Sequence, residues 1–200
     1  MSTQITATSG PAGPSVAVLL AAGGGTRFAG PQHKLLAHLG GRPLWLHSLG
    51  EVLAAGFDHV VVVTGAVRLE LPPVVIECRN PDWARGQAGS VQVGVAAARD
   101  LGASAATFGL ADQPFVTTAA WRAVRDADPT CRIVIAVYDG QVGPNPVRLR
   151  ADMWPLVPRD GDAGARELLG AHPEWVCRVD CVGSAHDIDT VEDLARWRSC

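Results

Sequence analysis

Short apolar segments alternate along the chain with longer stretches in which apolar residues recur at helical spacing. Continuous apolar runs fill Val16–Ala21 and His59–Thr64, and short runs of this kind are typical of strands buried on both faces. Between them, Leu46, Leu49 and Leu53 lie three or four residues apart, as on the buried side of a helix. The same patterns predict further strands at residues 73–77, 107–110, 132–137, 145–149 and 175–179, and further helices at 84–98, 117–126, 163–169 and 190–198. This alternation predicts an α/β fold, a Rossmann-like three-layer sandwich with a mostly parallel central sheet.

Composition limits the possible classes of protein. The 200 residues are 48% hydrophobic and 18% charged, as in a globular protein. Residues 1–15 are small and polar and lack the regions of a signal peptide, so we expect a flexible leader followed by one domain over 16–200. A net charge of −3 argues against nucleic-acid binding, and apolar runs of only strand length argue against membrane insertion. Five irregularly spaced cysteines argue against a disulfide framework. We therefore expect a cytoplasmic protein.

The strongest chemical signal follows the first predicted strand, in the loop LAAGGGTRFAGPQHKLL of residues 20–36. Glycines after a buried strand let the backbone approach a polyanion and turn its N–H groups toward it. Arg27 and Lys34, both expected on a polar loop, suit a triphosphate. A dinucleotide loop would need a small residue in place of Phe28, and the Gly-Lys-Ser/Thr of a P-loop is absent. A tight turn without a ligand is the alternative.

This loop resembles the signature loop of the MobA-like nucleotidyltransferases, written approximately LAAG-x-x-x-R-x-G…K. LADQP also resembles the family's GDxP turn, with Ala111 in place of the usual glycine. The resemblance extends over residues 16–195, and LAAG, GDAGAR and DIDT are similar to the branch of molybdenum cofactor cytidylyltransferases. The matching blocks are NPDWARGQAGSV at 80–91, LADQP at 110–114, NPV at 145–147, GDAGAR at 161–166 and DIDTVEDL at 187–194.

The resemblance implies Mg²⁺-dependent transfer of CMP from CTP to the terminal phosphate of molybdopterin, with release of pyrophosphate. A molybdoenzyme that receives the finished cofactor would be a further partner. A phosphate nucleophile is already anionic, so the site has to supply positioning and charge neutralisation rather than a general base. Two alternatives stay open. One is guanylyl or other nucleotidyl transfer to a different phosphorylated small molecule, and the other is a nucleotide-binding maturation factor without catalysis.

Three aspartates are the predicted metal ligands. Asp112 resembles the family's magnesium ligand, and Asp187 or Asp189 would supply a second carboxylate, as Mg²⁺ is commonly held by few protein carboxylates and several phosphate oxygens. Because Ile188 separates them in an extended segment, both aspartates are expected to face one side. A turn for Asp112 and capping of the last helix for one of the other two are the alternatives.

The remaining assignments concern substrate contacts. Asp82 and Ser90 are expected to support the base or ribose, with a helix N-cap as the alternative for Asp82. The resemblance assigns the acceptor to Asn145 and Arg166. The predicted catalytic residues are Arg27, Lys34 and Asp112, and the predicted nucleotide-binding residues are Leu20, Ala21, Ala22, Gly23, Gly24, Gly25, Arg27, Lys34, Thr64, Asp82, Gly86, Ser90 and Asp112.

Overall fold

Strands and helices alternate through most of the chain in the computed structural model, which describes residues 13–162 and 166–197. The strands of these ranges are β1 (Val16–Ala21), β2 (His38–Leu39), β3 (Arg42–Pro43), β4 (His59–Thr64), β5 (Ile76–Arg79), β6 (Ala105–Leu110), β7 (Ile133–Tyr138), β8 (Gln141–Arg150) and β9 (Val176–Asp180). The α-helices are α1 (Leu44–Ala54), α2 (Gln87–Asp100), α3 (Thr118–Arg125), α4 (Arg166–Ala171) and α5 (Val191–Trp197). Short 3₁₀ turns lie at Lys34–Leu36, Trp83–Arg85, Ala151–Leu156 and Pro173–Trp175.

Seven strands form one sheet in the order β5-β4-β1-β6-β8-β7-β9. Strand β1 pairs in parallel with β4 and β6, and β5 continues the parallel half beyond β4. Strand β8 runs antiparallel between β6 and β7, because Asp139 and Gly140, both at positive φ, close a hairpin between β7 and β8. The α/β prediction and the mostly parallel sheet are confirmed.

Helices cover both faces of the sheet. Every residue of the central strand β1 is buried, and its side chains alternate between two apolar clusters. Val18 lies in the cluster that contains Val95 of α2. Leu19 lies in the opposite cluster with Leu49 of α1 and Trp121 of α3. This period-two alternation produces three layers and fixes the end of β1 between helices on both sides.

Some predicted boundaries are wrong. Strand β5 begins at Ile76 rather than at residue 73, because residues 72–75 form a turn in which the Val75 N–H donates to the Pro72 carbonyl. Helix α2 begins at Gln87 rather than 84, because Gly86 has a φ of 112° that a helix does not permit. Residues 163–165, where another helix was expected to begin, and residues 1–12 of the predicted leader lie outside the described residues.

One disulfide joins Cys131 to Cys177, with their Cα atoms 6.0 Å apart. Strands β7 and β9 pair in parallel with Val134 opposite Cys177, and this pairing brings the two cysteines together. The bridge was not predicted, because the spacing of cysteines in the sequence does not show which of them lie close in the fold. The one bridge found among the described residues is not a disulfide framework. The helices in the described part of the chain are too short or too polar to cross a membrane.

Candidate active site

A cleft of about 710 Å³ opens at the carboxyl ends of β1 and β6. Its walls are the loop after β1, the start of α2, Asp112 after β6 and the segment that carries Asp187 and Asp189. In sheets with parallel strands, ligands bind outside the carboxyl ends of the strands. The fold therefore gathers segments that are far apart in sequence at the position where such a sheet binds its ligand.

The glycine loop is held from both ends by hydrogen bonds. The Ala22 carbonyl accepts the Ala66 N–H at 3.0 Å, and the Phe28 N–H donates to the Gly25 carbonyl at 3.0 Å. His33 crosses the loop with Nε2 2.9 Å from the Gly23 carbonyl, while its Nδ1 accepts the Leu35 N–H at 3.3 Å. Both contacts require a neutral ring with its proton on Nε2, and burial lowers the pKa of His33 in agreement with this.

Lys34 lies inside the protein rather than on a polar loop, which corrects the sequence prediction. Its Nζ is 2.5 Å from Oδ2 of Asp112 and 2.8 Å from Oδ1 of Asp189, and only 11% of its side chain is exposed. The neighbouring Leu35 is buried and draws this turn into the apolar core. Burial by itself would lower the pKa of Lys34, but the two carboxylates outweigh it, so the pKa is raised and the amine stays charged.

Arg27 also contacts a carboxylate in this structure. Its Nη1 lies 2.8 Å from Oδ2 of Asp189, and 75% of its side chain is exposed. Both oxygens of Asp189 therefore have cationic partners, Lys34 on one and Arg27 on the other. Arg27 and Lys34, the two cations predicted to bind a triphosphate, thus form ion pairs with carboxylates that the sequence analysis assigns to a metal.

The segment 187–189 presents both of its aspartates to the cleft, as the alternation predicted. Ile188 between them is fully buried beside Phe28, and its N–H donates to the Asp112 carbonyl at 3.0 Å. Asp187 accepts a hydrogen bond from Gln113 at 2.6 Å. Burial raises the pKa of Asp187, and the nearby charge of Asp112 raises it further.

The N-terminus of α5 is capped by Thr190 and Asp193 rather than by Asp187 or Asp189. Thr190 and Asp193 exchange hydrogen bonds of 2.9 and 3.1 Å between side chains and backbone N–H groups. Together these bonds form a reciprocal N-terminal cap. Asp187 and Asp189 therefore keep their side chains directed at the cleft.

The start of α2 forms the opposite wall. Ser90 is buried and accepts a hydrogen bond from the Asn80 amide at 3.0 Å. A Cβ on Gly86 would lie 2.5 Å from the Gly161 carbonyl, so the two backbones meet in close contact. The Ala88 N–H donates to the same Gly161 carbonyl at 2.9 Å. Gly161 is thereby held against the N-terminus of α2.

Residues 17–175 match the family model of the MobA-like NTP transferase domain. The chain belongs to this family. The resemblance found in the loop and block motifs is thus confirmed, and residues 17–175 form a domain of the MobA-like NTP transferase type.

Two relatives place this MobA-like NTP transferase among curated proteins. It is 30% identical over 196 residues to the purine catabolism protein PucB of Bacillus subtilis (strain 168), a match that covers 89% of this chain and 93% of PucB. It is 38% identical over 109 residues to the bifunctional protein GlmU of Acidiphilium cryptum (strain JF-5). That match covers 52% of this chain and 23% of GlmU, so the chain spans about a quarter of the length of that relative.

Solved structures share the fold over nearly the whole chain. Rv0371c from Mycobacterium tuberculosis H37Rv superimposes with a TM-score of 0.79 at 26% identity and covers 94% of this chain and 99% of its own. A nucleotidyl transferase from Methanothermobacter thermautotroptrophicus, Mth528, gives a TM-score of 0.79 at 25% identity, over 93% and 96% of the two chains. A manganese complex of Rv0371C gives 0.75 at 24% identity over 93% and 98%, a likeness of fold.

Most predicted nucleotide-binding residues of this MobA-like NTP transferase line the cleft, and a few do not. Thr64 is buried and donates to Glu77 at 2.7 Å, and Asp82 is exposed outside the cleft. Asn145 is buried in β8, away from the cleft lining. The Arg166 side chain lies outside the described residues. The predicted residues that line the cleft are Leu20, Ala21, Ala22, Gly23, Gly24, Gly25, Arg27, Lys34, Gly86, Ser90, Asp112, Asp187 and Asp189.

Trp83 and Gln113 are among the residues of this site that the sequence analysis did not assign. Trp83 lines the cleft, and its ring lies 2.7 Å from the position that a Cβ on Gly24 would occupy. Gln113 is fully buried behind Asp187. Both lie inside the motif blocks NPDWARGQAGSV and LADQP, so their position in these blocks was the available signal.

The donor set fits a hard divalent cation, which nucleotidyltransferases generally use. Among the residues that the structure describes, Oδ1 of Asp112 is buried without a hydrogen-bond partner, and Gln113 donates to one oxygen of Asp187. In the described part of the chain no three carboxylate, imidazole or thiol groups form a complete metal site. Two protein carboxylates with phosphate oxygens as the other ligands are the arrangement that Mg²⁺ commonly adopts.

Proposed function

We propose that this MobA-like NTP transferase transfers CMP from CTP to the terminal phosphate of a molybdopterin-type acceptor, with Mg²⁺ as its metal. Family membership supplies nucleotidyl transfer and the triphosphate substrate. The choice of base, acceptor and metal is the proposed part. It rests on the LAAG and GDAGAR blocks and on the shape of the cleft beside them.

The observation that carries the choice of CTP is the packing around Ala22. Ala22 lines the cleft at 3% exposure, and its Cβ lies 2.8 Å from the position that a Cβ on Gly65 would occupy. The Cβ of Trp83 lies at the same distance of 2.8 Å from that position. A glycine at position 22 would lack this methyl group. The methyl group of Ala22 leaves less room for the base beside this closely packed wall of the cleft, which favours a pyrimidine over the larger purine.

In the proposed reaction, an oxygen of the acceptor phosphate attacks the α-phosphorus of CTP. A new P–O bond forms, the α–β P–O bond breaks, and its electron pair leaves with pyrophosphate. The N–H groups of the glycine loop and the exposed guanidinium of Arg27 would hold the β- and γ-phosphates. Lys34 would neutralise charge near Asp112 as it develops on the leaving group.

The metal fits beside two of the three aspartates. Asp112 and Asp187 each have an oxygen without a hydrogen bond from the described residues, whereas both oxygens of Asp189 have cationic partners. We therefore assign the metal to Asp112 and Asp187, and Asp189 to holding Lys34 and Arg27. A bound Mg²⁺ would neutralise phosphate charge in the transition state.

Pyrophosphate release with CTP or GTP and molybdopterin tests this function. We expect kcat/KM to favour CTP, and Ala22→Gly to move the CTP to GTP ratio toward GTP by about tenfold, the lower range for one methyl group in a pocket. Ala17→Gly makes the same change at the far end of β1 and should leave the ratio unaltered. A wild-type preference for GTP would refute the choice of base, and no pyrophosphate with either nucleotide would refute molybdopterin as the acceptor.

A further inference from the structure

Gln113 is the most completely buried polar side chain next to the site. Its exposure is 0%, and its Nε2 donates to Oδ1 of Asp187 at 2.6 Å and to the Ala185 carbonyl at 3.1 Å. Its backbone directly follows Asp112, whose carbonyl accepts the Ile188 N–H. The end of β6 therefore holds the segment 185–188 by one backbone bond and by the two bonds of a single amide.

The direction of this amide is determined by its partners. Carbonyls and carboxylates only accept hydrogen bonds, so a reversed amide would place Oε1 against two other acceptors. In the observed orientation, Oε1 is buried and lacks a hydrogen-bond partner in the described part of the chain. A buried acceptor without a partner is unfavourable and uncommon. Gln113 therefore keeps its donors on Asp187 and Ala185 while its acceptor stays unsatisfied.

The bond on Oδ1 also selects which oxygen of Asp187 is free. With Gln113 on Oδ1, Oδ2 is the oxygen of Asp187 that has no hydrogen bond from the described residues, and both Asp187 and Asp112 line the cleft. Partners of this kind orient metal-binding carboxylates in many proteins. Gln92 provides a contrast, because its amide also donates to two acceptors, the backbone carbonyls of Val157 and Pro158, and neither acceptor is a carboxylate.

We infer that Gln113 is a positioning residue that holds Asp187 in the orientation in which it binds the catalytic metal. The inference rests on the proposed function, since it assumes that Asp187 is a metal ligand. Gln113 touches neither nucleotide nor acceptor in this arrangement and acts through Asp187 alone. Its removal should weaken metal binding while leaving the phosphate loop and the base wall intact.

The test is direct Mn²⁺ binding to the full chain in the presence of CTP, followed by electron paramagnetic resonance. Gln113→Met keeps the volume of the side chain and removes its donor, so we expect the Mn²⁺ dissociation constant to rise about 10- to 100-fold, the usual effect of losing such a partner. In steady-state assays the KM for Mg²⁺ should rise, while the KM for CTP at saturating Mg²⁺ stays within about twofold of wild type. Gln92→Met is the matched control, and its Mn²⁺ affinity should equal that of wild type.

A second variant keeps the inference testable if Gln113→Met does not fold. Gln113→Glu preserves the shape but places an acceptor against Asp187, so its Mn²⁺ affinity should fall by at least as much. Unchanged Mn²⁺ affinity in a folded Gln113 variant, with tight binding by wild type, overturns the inference and leaves the proposed function standing. No Mn²⁺ binding by wild type itself overturns the proposed metal site and the inference with it.

Discussion

Replacement of Lys34 by methionine tests both the stability and the chemistry of the site. It removes an ammonium that lies 2.5 and 2.8 Å from two carboxylates and leaves Asp112 and Asp189 as close like charges. Breaking a fully buried ion pair costs about 3–5 kcal/mol. These carboxylates are 16–17% exposed on a wide cleft and Arg27 remains on Asp189, so we expect a smaller loss of about 2 kcal/mol in the free energy of unfolding.

The stability effect has a defined dependence on pH. The pKa of Lys34 in the folded state is raised above its ordinary value of 10.5. Its contribution is therefore fully present below pH 10.5 and is lost as the pH rises through the folded-state pKa. The difference in stability between wild type and Lys34→Met should stay constant through neutral pH and shrink at strongly alkaline pH.

Urea unfolding and pyrophosphate release measure the two consequences separately. Loss of one charge-assisted contact, about 1.5–3 kcal/mol, should lower kcat/KM about 10- to 150-fold. Arg27→Met is the control for stability, because an exposed ion pair contributes about 0–1 kcal/mol. If Lys34→Met unfolds at the same urea concentration as Arg27→Met, the buried ion pair is not stabilising. Near-normal turnover at saturating CTP would refute the role of Lys34 in transfer.

Three further changes test other parts of the site. Asp112→Asn should abolish metal-dependent turnover while changing CTP affinity less than tenfold, because the amide keeps the shape and loses the charge; full activity at low Mg²⁺ would make Asp112 a turn residue. Gly86→Ala should lower stability by about 1–3 kcal/mol, since it combines a φ of 112° with a contact of 2.5 Å to the Gly161 carbonyl. Gly170→Ala, in open space on α4, should not lower stability in the same thermal melts, because alanine favours a helix over glycine, and equal losses would contradict this reasoning. The pKa of His33 is lowered below 6.5, so wild type should lose stability relative to His33→Asn as the pH falls below 6.5, and parallel pH profiles of unfolding would refute it.

The elements best predicted from sequence are those whose own residues determine their bounds. Strands β1 and β4 match their predicted ranges because each is a buried apolar run, which leaves little choice of structure. Strand β5 was misplaced because its residues are largely exposed, and its position is set by pairing of Ile76 with Val61 of β4. Pairing with a strand that is distant in sequence leaves no pattern in the residues of β5 from which its bounds could be predicted.

The candidate site was also predicted only in part. The chemistry of Lys34, Asp112 and Asp189 was visible in the motifs, but their mutual ion pairs were not, because residues up to 155 positions apart meet only in the folded chain. Burial of Leu35 places Lys34 inside the protein, whereas its polar neighbours in sequence predicted an exposed loop. Sequence therefore identified the types of group in the cleft, and the fold determines which of them contact one another.

These ion pairs bear on how a nucleotide enters the cleft. The lining carries two cations, Arg27 and Lys34, and four aspartates, so it has more acidic than basic groups before substrate arrives. The aspartates are Asp112, Asp162, Asp187 and Asp189. A free triphosphate would add further negative charge and would compete with Asp112 and Asp189 for the two cations. A triphosphate that brings a divalent cation supplies the charge that the aspartates lose when Arg27 and Lys34 turn to the phosphates. Metal and nucleotide should therefore strengthen each other's binding, and by linkage the coupling is equal in both directions.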